Sequence, residues 1–149
     1  MSTLPQIVTL GIDGELRIWT GVDDDDAEIH LVGDVGLAVA VTDRTVYVGS
    51  GRTNVLSSYN WEMESEGVVG PRLTADLSAL VASPEGGTVV AGCDDFAVKV
   101  INTENFSLAN LEGHTAPVLS VDLACQGDVV ASSSCDGSVK VITELTQKD

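Results

Sequence analysis

The sequence predicts an all-β chain, an arc of a β-propeller, and three observations carry the prediction. Short runs rich in Val, Ile, Leu and Thr recur between clusters of Gly, Asp, Asn and Pro, with no apolar stripe of helical period among them. The connections are short and rich in turn residues, as an antiparallel meander requires. The pattern also repeats. IVTLGIDGELRIW, VYVGSGRTNVLSSY, VVAGCDDFAVKVI and VVASSSCDGSVKVI align with Asp13, Thr53, Asp95 and Asp136 in one column, at spacings of 40, 42 and 41 residues. A period of about 40 to 45 residues holding four short strands is the signature of a propeller blade.

Taken in order, the first blade spans about 6–33, with strands at 6–11 (QIVTLG), 15–19 (ELRIW) and 27–33 (AEIHLVG). The second, about 36–74, takes strands at 37–42, 45–51 and 55–61, and an outer strand at GPRLT, 70–74. The third, about 77–112, takes LSALVAS, TVVAGC, AVKVIN and SLANLE, and the fourth, about 117–144, takes VLSVDLA, DVVASSS and SVKVITE. Only five residues precede the first unit's second strand, and no fourth strand follows in the last. The expectation is therefore an incomplete propeller over 1–149, about three and a half four-stranded blades, against the roughly seven blades of a closed ring. Such an arc exposes a blade flank and unpaired strand edges, so a fragment of a longer product, marginally stable or aggregation-prone alone, is expected.

Composition limits the function classes. Asp and Glu number 23 against 7 Lys and Arg, a formal net charge of -16. Such a surface repels phosphate backbones, and no basic patch interleaved with aromatics is present, so direct binding of nucleic acid is not expected. Arg17, Arg44, Arg52, Arg72, Lys99, Lys140 and Lys148 are scattered. Cys93, Cys125 and Cys135 form no C-x-x-C pair, and no histidine is spaced with them for zinc. A reducing compartment is expected. No signal peptide or 18-residue apolar run is present, so membrane association is not expected.

Asp23, Asp24, Asp25 and Asp26 form an acidic run. A hard cation would suit its oxygens, but adjacent carboxylates lack the spaced ligands and glycine of a calcium loop. A solvated blade corner is the better reading, with docking of a basic partner as the alternative. His30 reads as an edge histidine, with a pH switch as the other option, and Cys93 as a small buried hydrophobe. GDVGLAVAV precedes a strand and is no phosphate loop.

GHTAPVLSVDLACQGDVVASSSCDGSVKVI resembles a WD repeat. The resemblance implies that His114, in the loop entering the innermost strand, joins Asp136, in the turn between the second and third strands, through a buried hydrogen-bond chain. Ser132 or Ser134 completes that chain, and Ile142 replaces the tryptophan that usually ends it. His114, Ser132 and Asp136 also supply the side chains of a hydrolase triad, but that role needs an open cleft and oxyanion donors. Bracing is the expected role, with no catalytic residue and no cofactor.

The whole chain resembles the acidic nucleoplasmic DNA-binding proteins, the WD-repeat and HMG-box family related to the yeast chromosome-transmission-fidelity replisome adaptor. DGELRIW with the following aspartates, PEGGTVVAGCDDFAVKV and GHTAPVLS carry the likeness. It implies a non-enzymatic nuclear scaffold linking the replicative helicase to DNA polymerase alpha, mainly through modules outside these residues. The alternatives are a generic WD-repeat adaptor, such as a ubiquitin-ligase substrate receptor, and a catalytic propeller.

Overall fold

The computed structural model describes residues 6–21, 27–124 and 128–143. Fourteen strands and no helix occur among them, in four antiparallel sheets. The first holds β1 (Ile7–Leu10), β2 (Glu15–Trp19) and β3 (Ala27–Leu31). The second holds β4 (Gly36–Val41), β5 (Val46–Ser50), β6 (Leu56–Tyr59) and β7 (Ser65–Val68). The third holds β8 (Leu77–Ala82), β9 (Thr88–Cys93), β10 (Val98–Asn102) and β11 (Leu108–Leu111). The fourth holds β12 (Val118–Ala124), β13 (Val129–Ser134) and β14 (Val139–Ile142). Each sheet is a meander in chain order, and β4, β8 and β12 adjoin one another along one edge of the stack. This is the partial propeller that the repeats predict.

The period-2 pattern determines how the sheets stack, because alternate residues of a strand face opposite sides. Val46 and Val48 of β5 meet Leu16 and Ile18 of the first sheet. Tyr47 between them joins Leu77, Val89, Ala91 and Cys93 of the third. Val90 in turn packs with Val118, Val121 and Val130 of the fourth. A strand with neighbours on both faces needs apolar residues at every position, which accounts for the unbroken run VVAGC in β9. Two glycines set the spacing. A Cβ on Gly92 would stand 2.7 Å from Val118 Cγ1, and one on Gly49 would overlap the Leu77 side chain. Where the sheets approach this closely, only glycine fits.

A β-bulge recurs at the start of β4, β8 and β12, between Gly36 and Ala38, Leu77 and Ala79, and Val118 and Ser120. The recurrence marks these strands as equivalent, each bent where its entry loop begins.

One strand differs from the sequence reading. GPRLT, 70–74, is a loop, and the outer strand of the second sheet is SEGV at Ser65–Val68. Gly70 at φ 75° turns the chain away, and Pro71 has no N–H to give a ladder. The loop then folds back over the core. Leu73 N–H donates to the Asn54 carbonyl at 2.8 Å, and the Leu73 side chain is buried. This correction places Thr74 in the loop leading to β8, as His114 stands in the loop before β12.

Candidate functional site

In the second, third and fourth sheets the entry loop meets the turn between the second and third strands of its own sheet. In the fourth sheet, His114 Nδ1 lies 3.0 Å from Asp136 Oδ2 and 3.1 Å from Ser138 Oγ, and Nε2 lies 2.9 Å from Ser132 Oγ. Ionised Asp136 only accepts, so Nδ1 carries the proton between them. The Thr115 N–H adds a 2.9 Å bond to Asp136 Oδ2, and Ser138 donates to Oδ1 from its hydroxyl at 2.6 Å and its amide at 2.8 Å. These bonds, the Ser138 hydroxyl foremost and then the Thr115 amide, hold the Asp136 carboxyl well below the usual carboxylate range, against the opposing pull of desolvation. Ser134 bridges the same two segments: its hydroxyl donates to the Ala116 carbonyl at 2.9 Å and accepts from the Asp136 amide at 3.1 Å.

The structure thus brings His114, Ser132, Ser134 and Asp136 together. Ser132, His114 and Asp136 follow the order of a nucleophilic triad, yet Ser132 is only 3% exposed and the imidazole is buried with it. A nucleophile must reach its substrate, and this hydroxyl is enclosed.

Sequence reasoning missed the counterpart in the third sheet. Lys99, named in the sequence only as one of the scattered basic residues, is 3% exposed. Its ammonium donates to Asp95 Oδ2 at 2.9 Å, Asn110 Oδ1 at 3.1 Å and Thr74 Oγ1 at 3.3 Å, which saturates its three N–H groups. Thr74 also donates to Asp95 Oδ2 at 2.8 Å. Burial pushes the Asp95 carboxyl up, but the bonds from Lys99 and Thr74 outweigh it and hold it below its ordinary value. The third sheet has no histidine in its entry loop, and Lys99 completes the link from within β10.

The second sheet reverses the polarity. Asp34 lies in the entry loop and Thr53 in the turn; Asp34 Oδ2 accepts from the Thr53 hydroxyl at 2.7 Å and its amide at 3.2 Å. The Thr53 hydroxyl is the first reason that the Asp34 carboxyl stays below its usual range. A signal for part of this was present in the sequence. A basic residue follows the turn aspartate by four positions in three repeats, Asp13 with Arg17, Asp95 with Lys99 and Asp136 with Lys140.

The residue after the aligned Asp or Thr is left-handed in every repeat: Gly14 at φ 80°, Asn54 at 52°, Phe96 at 72° and Gly137 at 80°. Phe96 is the exception in kind. A non-glycine residue there costs about 1–2 kcal/mol, and Phe96 joins none of the three apolar clusters that could offset it. Phe96 is 43% exposed and lines a cleft of about 340 Å³ with Asp95, Lys99, Asn110, Glu112 and His114.

Of the remaining expectations, His30 is half-buried on edge strand β3, its Nε2 3.1 Å from Glu28 Oε1. Cys93 is fully enclosed, and burial raises its thiol to about 12. Asp23, Asp24, Asp25 and Asp26 lie outside the described residues. Among the described residues no group of His, Cys, Asp and Glu is placed to hold a metal ion, and no helix is long and apolar enough to cross a membrane.

Four meandering sheets stacked on their inner strands, with an entry-loop histidine joined to a turn aspartate and a second-strand serine, define a WD40-repeat domain. Comparison with known proteins is more specific: the family model described as the WDHD1 first WD40 domain matches residues 2–148, and the chain belongs to that family. WD repeat and HMG-box DNA-binding protein 1 of Xenopus laevis is 35% identical over 137 residues, 91% of this chain and 12% of that protein. The proteins of the same name from Mus musculus and Homo sapiens are 34% and 33% identical, again over 91% of this chain and 12% of each relative. The chain spans about an eighth of the length of the curated relatives it matches.

Proposed function

We propose that this chain is part of a non-enzymatic nuclear scaffold that acts in DNA replication and chromosome maintenance, joining the replicative helicase to DNA polymerase alpha assemblies. Membership of the WDHD1 first WD40 domain family carries the reading. A WD40-repeat domain supports protein interaction as its general role, and the name of the relatives as DNA-binding proteins supports a nuclear setting. The net charge of -16 favours protein partners over nucleic acid for this segment. Within it, His114, Ser132, Ser134 and Asp136 act as braces that fix entry loop to turn, because buried polar groups hold a structure only when they satisfy one another. Asp23, Asp24, Asp25 and Asp26 are proposed as a docking segment for a basic partner.

Affinity capture from S-phase nuclei with the full-length protein tests the scaffold role. Helicase and polymerase alpha subunits are expected in the captured fraction; recovery of neither would overturn the proposal.

A further inference from the structure

We propose that the cleft between Phe96 and Glu112 is a docking site for the cationic side chain of an extended arginine- or lysine-bearing peptide segment. The proposal deepens the scaffold reading by naming a contact surface and the chemistry of its partner, and its test measures direct binding, so either can fail alone.

Four observations converge on it. First, Phe96 occupies a left-handed turn position that glycine fills in two sibling repeats, and it takes no part in the apolar clusters. An aromatic retained in a disfavoured conformation with its ring half in solvent has no role in the folding core. Second, the ring borders a recess of about 340 Å³, room for one long side chain rather than a flat contact. Third, Lys99 lines the cleft with all three N–H groups committed to Asp95, Thr74 and Asn110. Its charge is paired with Asp95, and it has no N–H left to give an anion. Fourth, Glu112 also lines the cleft, an exposed carboxylate without an ion pair or hydrogen bond among the described residues.

A cleft lined by an aromatic residue and a free carboxylate is an environment that a guanidinium or ammonium prefers, because the ring quadrupole and the anion both attract it. The net charge of -16 draws such a segment in from solution. One cation opposes the arrangement: the Lys140 side chain lies against Gly113, the neighbour of Glu112, although it does not line the cleft. Its neutralisation should therefore strengthen binding, which gives the proposal a prediction of the opposite sign.

The test is titration of the full chain with the peptide acetyl-Gly-Ala-Arg-Ala-Gly-amide, followed by amide chemical shifts, with the citrulline version of the peptide as the neutral isostere. Millimolar binding centred on residues 94–97 and 112 is expected, and citrulline should abolish it. F96G should weaken binding by about fivefold through loss of the cation–π contact, with the melting temperature unchanged or raised because glycine relieves the backbone. E112Q should weaken it by a similar factor and K140Q should strengthen it about twofold, as moderately screened charges do. E85Q, outside the cleft lining, should change nothing. The proposal is overturned by shifts that avoid residues 94–97 and 112, by equal binding of the citrulline peptide, by full affinity in F96G, or by an E85Q loss equal to that of E112Q.

Discussion

Replacing Lys99 by methionine removes a buried charge while keeping the length and most of the volume of the side chain, so the loss reports electrostatics rather than a cavity. The wild-type ammonium has only 4% of its side chain in contact with solvent and gives its three hydrogens to Asp95, Thr74 and Asn110. Removing one partner of a fully buried pair costs about 3–5 kcal/mol, because the other charge stays dry and uncompensated. Here the Asp95 side chain is 30% exposed and keeps its bond from Thr74, so part of that penalty is relieved by water. The expected loss is therefore below that range, about 2–3 kcal/mol. For a chain of this size it corresponds to a fall in Tm of roughly 4–12 °C. Urea unfolding followed by the fluorescence of Trp19 and Trp61, with circular dichroism as the second probe, measures it. A companion variant, D95N/K99M, should recover at least about 1 kcal/mol relative to K99M, since both formal charges are then gone. A K99M midpoint within about 0.5 kcal/mol of wild type, or strict additivity of D95N and K99M, would refute the view that this lysine is the third sheet's substitute for a histidine brace.

The other expectations can be measured on the same material. H114A should cost about 2 kcal/mol by stranding Ser132 and Asp136, visible as a lower urea midpoint; hydrolytic turnover that disappeared while stability held would instead favour the catalytic reading. Asp34, Asp95 and Asp136 all titrate below their ordinary value of 3.8 in the folded chain. Their contribution is complete above that value and is lost as pH falls through the lower folded values, so stability should be level near neutrality and decline below about pH 4. D136N should lower stability at pH 7 and flatten that acid decline; an unchanged acid slope would argue against the linkage. G92A should cost about 1–3 kcal/mol because the new methyl meets Val118 at the junction of the third and fourth sheets, and a variant as stable as wild type would show that the sheets can separate there without penalty.

Period and chemistry together make most of the fold legible in the sequence. The spacings of 40 to 42 residues aligned Asp13, Thr53, Asp95 and Asp136, and strands of alternating or wholly apolar residues could be read directly between the turns. The outer strand of the second sheet was hidden because SEGV has no strand composition, while GPRLT offers an apolar residue and a threonine yet contains a proline that no ladder accepts. The hydrogen-bonded group of His114, Ser132 and Asp136 in the fourth sheet was visible because Gly-His and Ser-Cys-Asp-Gly stand at recognisable positions. Its counterparts were not. Thr74 and Asp34 carry no distinctive motif, and a lysine in an alternating strand reads as solvent-facing unless its partners are known.

The sequence by itself determined the class of fold, the order of the strands and the column of turn residues, since these depend on periodicity and on local conformational preference. The tertiary structure decided which charges are internal. Lys99 and Lys140 occupy the same place in successive repeats, four residues after an aspartate, and nothing local distinguishes them. Lys99 is enclosed because Thr74 and Asn110 come from neighbouring segments to meet it, whereas in the next sheet His114 already occupies the carboxylate and Lys140 lies along Gly113. Burial of a charge depends on partners distant in the chain, and only the folded arrangement brings those partners within hydrogen-bond reach.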